Sequence, residues 1–236
     1  MSRVLAIETA TPSSSVALAE GREIVASATR VDRFGHSSFL VPAIDFCFDQ
    51  AGWRPEDLDA VVVDVGPGLY TGIRVGLATA QALAAAVGVP LLPAVSLDAI
   101  ALRAATGRRH IWAIVDVRRG ELAVSSYHPV PGGVIKDAPP EVMTQDQLRA
   151  ALESDPKDTL LVGDTTAVDE HTLRGLHRVK KGGPRHPQAE ALIEATAASF
   201  EADEIPHPDD VRPLYLREPD VQINWAALES NPWGDR

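Results

Sequence analysis

Residues 60–76, AVVVDVGPGLYTGIRVG, decide the fold. The apolar run AVVVDV (60–65) reads as a buried strand. Four glycines then fall within the eleven residues GPGLYTGIRVG (66–76), which lead into the helical pattern GIRVGLATAQALAAAVG (72–88) closed by Gly88. A glycine-rich strand-to-helix turn either cradles phosphate or lets protein segments approach closely. A mononucleotide loop needs a lysine after its last glycine. No lysine occurs between Met1 and Lys136. The dinucleotide pattern fails as well, because Thr71 stands where its third glycine belongs. A bare phosphate on the helix N-terminus needs no side chain and stays compatible with the stretch. The packing reading is the stronger one. Gly72, Gly76, Ala80 and Ala84 recur every four residues and give one helix face almost no height, while Gly66, Gly68 and Pro67 shape the turn.

Working outward, RVLAIET (3–9), SVALAE (15–20) and REIVASATR (22–30) read as an antiparallel meander. HSSFLVPAIDFCFDQAG (36–52) is a helix ended by Gly52, VPLLPAV (89–95) is a buried strand, and Ser96 is expected to cap the helix after it. Strands followed by alternating helix and strand describe a mixed α/β sheet with flanking helices. From residue 108, HIWAIVDV, RRG and ELAVSSYHPV repeat the opening arrangement, with AIVD echoing AIET and Asp116 in the place of Glu8. PVPGGVIKDAPP (129–140) reads as a loop, Thr144 with Gln147 as a capping box, TLLVGD (159–164) as a strand and HPQAEALIEATAASFEADE (186–204) as a helix. The expected division is a first unit over 1–107, a smaller second unit over 108–217 and a mobile tail over 218–236.

A chain of 236 residues, 45% hydrophobic, is large enough for a substantial core. Its formal net charge of −11 repels nucleic acid, so RNA would be reached only through a basic partner. MSRVLAIETA opens directly on a strand pattern without a signal peptide, and no run reaches the ~18 apolar residues that cross a membrane. The single cysteine, Cys47, sits on an apolar helix face, which fits a small buried hydrophobe in a reducing cytoplasm.

Catalytic signals are sparse. The histidines, at 36, 110, 128, 171, 177, 186 and 207, are never three or four apart, the spacing that puts two imidazoles on one helix face. Glu8 and Asp64, at strand ends, are either acidic ligands for magnesium or caps of the turns that follow. No nucleophile elbow is present. No catalytic or metal residue is assigned. The helices say more. Apolar residues on 38–51 cover roughly 220°, about twice one buried face. The glycine-loop helix carries a second small apolar strip: Val75, Ala78, Ala82, Ala85 and Ala86. The bland explanation is burial under the second half of the chain. The alternative is a helical interface with a partner, built from Phe39, Ala43, Phe46, Val75, Ala78, Ala82 and Ala86.

LAIETAT (5–11) with SSSVAL (13–18), GPGLYTGIRVGLATAQALA (66–84) and PLYLR (213–217) resemble the bacterial tRNA threonylcarbamoyladenosine biosynthesis protein TsaB family, a glycoprotease-like branch of the actin/sugar-kinase/Hsp70 superfamily. Leu69-Tyr70 replace the usual Ser-Phe of the glycine loop. The resemblance implies two ribonuclease-H-like units and a non-catalytic accessory subunit. It implies as partners the transferase subunit TsaD and the ATPase TsaE, with ATP and magnesium on those partners, a homodimer when alone, tRNA contact only through the complex and a cytoplasmic place. The related transferase carries a paired-histidine metal motif. Here His36 opens the corresponding helix and Leu40 stands four residues on, so half of that site is missing. The rival function is a stand-alone ATP-dependent phosphotransferase of the sugar-kinase type.

Overall fold

The computed structural model describes residues 2–202, 206–207 and 210–216. The expected tail, 218–236, lies outside them. The meander forms as β1 (Arg3–Glu8), β2 (Ser13–Glu20) and β3 (Glu23–Val31), followed by α1 (His36–Ala51), β4 (Ala60–Asp64), α2 (Tyr70–Val87), β5 (Leu91–Ala94) and α3 (Ser96–Ala104). Gly52 and Gly88 end α1 and α2 in the left-handed conformation, as their positions foretold. The second half contributes β6 (His110–Asp116), β7 (Glu121–Val130), β8 (Gly133–Lys136), β9 (Glu141–Thr144), α4 (Gln145–Ser154), β10 (Thr159–Gly163), α5 (Glu170–Leu173), β11 (Val179–Lys181) and α6 (Ala189–Glu201).

The first sheet runs β3-β2-β1-β4-β5, antiparallel across the meander and parallel from β1 through β5. The second runs β8-β7-β6-β10-β11 with β9 beside β7, so its main order repeats the first strand for strand. That is the ribonuclease-H-like order, twice. The segment expected as a loop at 129–140 contains the end of β7 and all of β8. Gly132, at φ +84, makes the hairpin that its Pro/Gly content disguised as a linker. Thr144 and Gln147 form the expected capping box of α4.

Period-two alternation sorts the first sheet's residues between two faces, of which the second is the richer in alanine. Leu5, Ile7, Val16, Leu18, Val61 and Val63 face α1 and α2. Ala6, Ala17, Ala19 and Ala60 face the other way, where their small side chains let α6 lie close through Ala189, Ala191 and Leu192. Helix α3 instead places Leu97, Ile100 and Ala101 on the second sheet with Ile111, Ala113 and Tyr127. Helices therefore cross between the halves. The 107/108 boundary separates the sheets, but α3 from before it covers the second and α6 from after it covers the first. Residues 211–214 cross back too, with Val211 in the core under α2 and the Leu214 amide donating to the Val65 carbonyl at 2.8 Å.

Candidate functional site

The carboxyl ends of β1 and β4 meet under the glycine loop. Glu8 and Asp64 are 0% and 1% exposed. Glu8 accepts the amides of Ala10 (2.8 Å) and Thr11 (3.3 Å), and Ser15 Oγ reaches it at 3.5 Å. Asp64 accepts the Gly66 amide at 2.7 Å and the Ser96 hydroxyl on both oxygens, at 2.7 and 2.8 Å. Both carboxylates cap turns. Burial pushes Glu8 well above the usual range, with the Asp64 charge adding to it. Burial likewise raises Asp64 to about 7, and its hydrogen bonds only partly offset the shift. Ser96 does not cap α3 as expected. The helix begins at Ser96 itself, after Val95, because its hydroxyl is drawn to Asp64, thirty-two positions back in sequence.

The glycine loop is built for close approach. Gly66 has φ +101, a conformation that an L side chain rarely adopts. A Cβ at Gly68 would overlap the Ala10 carbonyl oxygen, one at Gly72 that of Thr9, and one at Gly76 the Thr9 hydroxyl. The Thr9 hydroxyl donates to the Gly72 carbonyl at 2.7 Å, and the Leu69 amide to the Ala10 carbonyl at 2.6 Å. The turn at 9–10 therefore packs directly against the backbone of the glycine loop.

On α2, Gly76, Ala80 and Ala84 face the sheet and are buried, whereas Ala78, Ala82, Ala85 and Ala86 are exposed. Val75 is half-buried against the core. Helix α1 lies on the same face of the sheet, with Phe46 49% exposed and Phe39 half-buried. Ala43, expected among the interface residues, is corrected: at 4% exposure it belongs to the core, one turn from Leu40 and Cys47 on the sheet side of α1. Cys47 is fully buried, and burial pushes its thiol up to about 11. His36 is buried with its Nδ1 2.6 Å from Ser14 Oγ, and Leu40 one turn on is a core residue rather than a ligand. Among the described residues no three His, Cys, Asp or Glu are grouped to hold a metal ion, and no helix is long and apolar enough to cross a membrane.

Sequence reasoning missed the strap at 211–216. Tyr215 stacks on Tyr70 with ring centroids 5.3 Å apart, and its hydroxyl accepts from Arg74 Nε at 2.9 Å. The Arg74 guanidinium also lies 3.8 Å over the Tyr70 ring, and Gln81 Nε2 reaches the Val211 carbonyl at 3.4 Å. Arg74, Gln81 and Thr79 are the polar residues of an otherwise apolar helix, and the first two meet the strap. That was the available signal.

The family model for TsaD, tRNA N6-adenosine threonylcarbamoyltransferase, matches residues 30–225. An uncharacterized protein of Mycobacterium tuberculosis is 34% identical over 227 residues, covering 94% of this chain and 95% of its own length. The tRNA threonylcarbamoyladenosine biosynthesis protein TsaB of Bacillus subtilis is 27% identical over 234 residues, covering 96% and 99%. A solved Pseudomonas aeruginosa protein, described as similar to peptidase YEAZ, superposes with a TM-score of 0.79 at 25% identity, over 92% of this chain and all of that one.

Proposed function

The chain belongs to the tRNA N6-adenosine threonylcarbamoyltransferase family as a TsaB-like member, and from that premise we propose that it serves threonylcarbamoyladenosine formation on tRNA as a non-catalytic, cytoplasmic accessory subunit. It docks the transferase subunit TsaD through the outer faces of α1 and α2, and the same faces pair two copies when it is alone. The ATPase TsaE joins that complex. ATP and magnesium act on the partners, and tRNA is reached through them, since a chain of net charge −11 repels RNA.

One observation carries the proposal: a helix with two apolar sides, only one of which the sheet covers. Ala78, Ala82 and Ala86 lie uncharged on the free side of α2, where an ordinary surface helix would carry lysine and glutamate. Exposed Phe46 on neighbouring α1 supplies a bulky anchor. The acids that a phosphotransferase would need, Glu8 and Asp64, are sealed and engaged in capping, so the rival function has less support.

The test is Ala82→Arg. A guanidinium that must be desolvated without a partner costs several kcal/mol, so affinity for the transferase subunit should fall by orders of magnitude, at about 1.4 kcal/mol per factor of ten. Circular dichroism should stay native, because the sheet-facing side is untouched. A folded variant that self-associates and binds the transferase like the parent overturns the proposal. An unfolded one shows the strip to be core, and overturns it as well.

A further inference from the structure

The outer face of α2 carries an arginine that the chain holds in place without neutralising it. The Arg74 guanidinium lies 3.8 Å over the Tyr70 ring and 6.0 Å from the Tyr215 centroid, and its Nε donates to the Tyr215 hydroxyl at 2.9 Å. The two tyrosines stack on each other, so the strap at 211–216 and the first turn of α2 together fix the cation. All three side chains are exposed, Tyr70 at 44% and Tyr215 at 39%. Among the described residues no carboxylate pairs with Arg74, whereas Arg3, Arg30, Arg118, Arg149 and Arg185 each have one. An arginine loose in water gives up rotamer freedom when a partner fixes it, and here that loss has been taken before any partner arrives. Tyr215 occupies Nε, which leaves the end-on pair of terminal nitrogens, the geometry that matches a carboxylate.

Helical periodicity places the cluster on the docking face. Tyr70, Arg74, Ala78 and Ala82 follow one another every four residues, all exposed, and form one row along α2. The row is tall at its first two members and low at the alanines. A second helix lying close over Ala78 and Ala82 therefore brings its own side chain against Arg74. Arg74 is the one lysine or arginine on α1 and α2, and the exposed acids of α1 are Asp45 and Asp49. On a face otherwise apolar or acidic, a single fixed cation sets the register in which an acidic partner residue fits. Tyrosine and arginine are also the residue types in which interface binding energy concentrates.

We propose that Arg74 is the specificity-determining residue of this face: held by Tyr70 and Tyr215, it takes a carboxylate of the transferase subunit through its two terminal nitrogens. The proposal rests on the docking reading above and adds the chemistry of one contact to it. Tyr215, and through it the strap, is a positioning residue.

Affinity of the full-length chain for the transferase subunit, measured calorimetrically at low and high salt, tests it. Arg74→Met keeps the apolar stem at an exposed position and should weaken binding about tenfold or more, by a factor that shrinks as salt rises. Arg74→Lys should not restore the parent affinity, because a point charge lacks the fork. Tyr215→Phe keeps the stack and removes only the hydroxyl. It should weaken binding about threefold in the parent and not at all in the Arg74→Met background, a coupling that a strap acting only on fold stability would not produce. Equal losses in both backgrounds overturn the proposal. Ala82→Arg separates the two readings: if it abolishes docking while Arg74→Met binds like the parent, the docking face stands and the Arg74 contact is overturned. If neither variant weakens docking, both fall. Weakened self-association with unchanged transferase affinity assigns Arg74 to Asp45 or Asp49 of a second copy and overturns the proposal. Loss of tRNA binding by the assembled complex, with transferase affinity unchanged, assigns it to a phosphate and overturns it as well.

Discussion

The two halves finish their central strands in opposite ways. In the first sheet, Glu8 and Asp64 stand at the carboxyl ends of β1 and β4, buried and tied to backbone amides and serine hydroxyls. In the second, Asp116 and Asp164 stand at the equivalent ends of β6 and β10, accessible to solvent and paired with Arg118 (3.4 Å) and Arg185 (3.2 Å). The backbone logic is shared: Glu8 accepts the amide two residues on, and so does Asp116, from Arg118 at 2.7 Å. What differs is the material on top. Glycines 68 and 72 bring the α2 turn down onto Ala10 and Thr9 and close the first end. The arginine-bearing turn 118–120 leaves the second end lining a cavity. One topology thus yields a sealed structural end and an open, charged one.

The largest expected effect attacks the seal. In Gly72→Ala the new methyl overlaps the Thr9 carbonyl oxygen, a backbone atom that cannot swing aside as a side-chain tip would. Overpacking usually costs about 1–3 kcal/mol, and with fixed backbone on both sides we expect ~3 kcal/mol or more. Urea unfolding measures it. Gly107→Ala is the control, since nothing lies within 4 Å of its Cβ position, and it should stay within about 0.5 kcal/mol. Equal, small losses in both variants would show that the loop is not tightly closed.

That seal was half legible in the sequence, for a physical reason. The glycine spacing, the meander and the left-handed ends at Gly52 and Gly88 are local consequences of residue type. Ser96 misled because a serine before a helical pattern normally caps it, and only the folded chain brings Asp64 within reach. The crossing of α3 and α6 was equally hidden, since an amphipathic pattern announces a buried face without saying which sheet buries it. Ala43 looked like part of a wide apolar arc until its place on the core side of α1 was known. The meeting of Arg33 and Arg118 at one cavity was not legible at all. Arg33 and Arg118 lie 85 residues apart and converge only because the two units face each other.

A second, intermediate effect reads the seal through pH. Asp64 has a folded pKa of about 7, above its unfolded value, so the folded state favours the protonated acid. For a carboxyl shifted in this direction, stability is undiminished below the unfolded pKa near 4 and declines as pH rises toward 7. Burial shifts His36 and His186 downward, and these groups act oppositely, losing stability as pH falls through 6.5. The informative quantity is therefore the difference between the parent and Asp64→Asn. Between pH 5.5 and 8 the parent should lose at least ~1 kcal/mol relative to the variant, about 2–4 °C in Tm. Parallel curves would mean that Asp64 is ionised in the folded protein without penalty.

The smallest effect belongs to the open end. Asp116→Asn keeps an oxygen to accept the Arg118 amide and removes only the charge facing a guanidinium 3.4 Å away. Both side chains are partly solvated, 28% and 37% exposed, so water replaces most of what the ion pair supplies. Exposed pairs of this kind are worth about 0–1 kcal/mol, and the expected loss in urea unfolding is ~0.5 kcal/mol. The contrast with Asp64 then rests on burial rather than on residue type: two aspartates at the carboxyl ends of central strands, one dry and pH-sensitive, the other wet and replaceable. A loss above about 2 kcal/mol would break the comparison, because a carboxylate free to hydrate cannot cost that much unless the arginine turn closes over it as the glycine loop closes over Asp64.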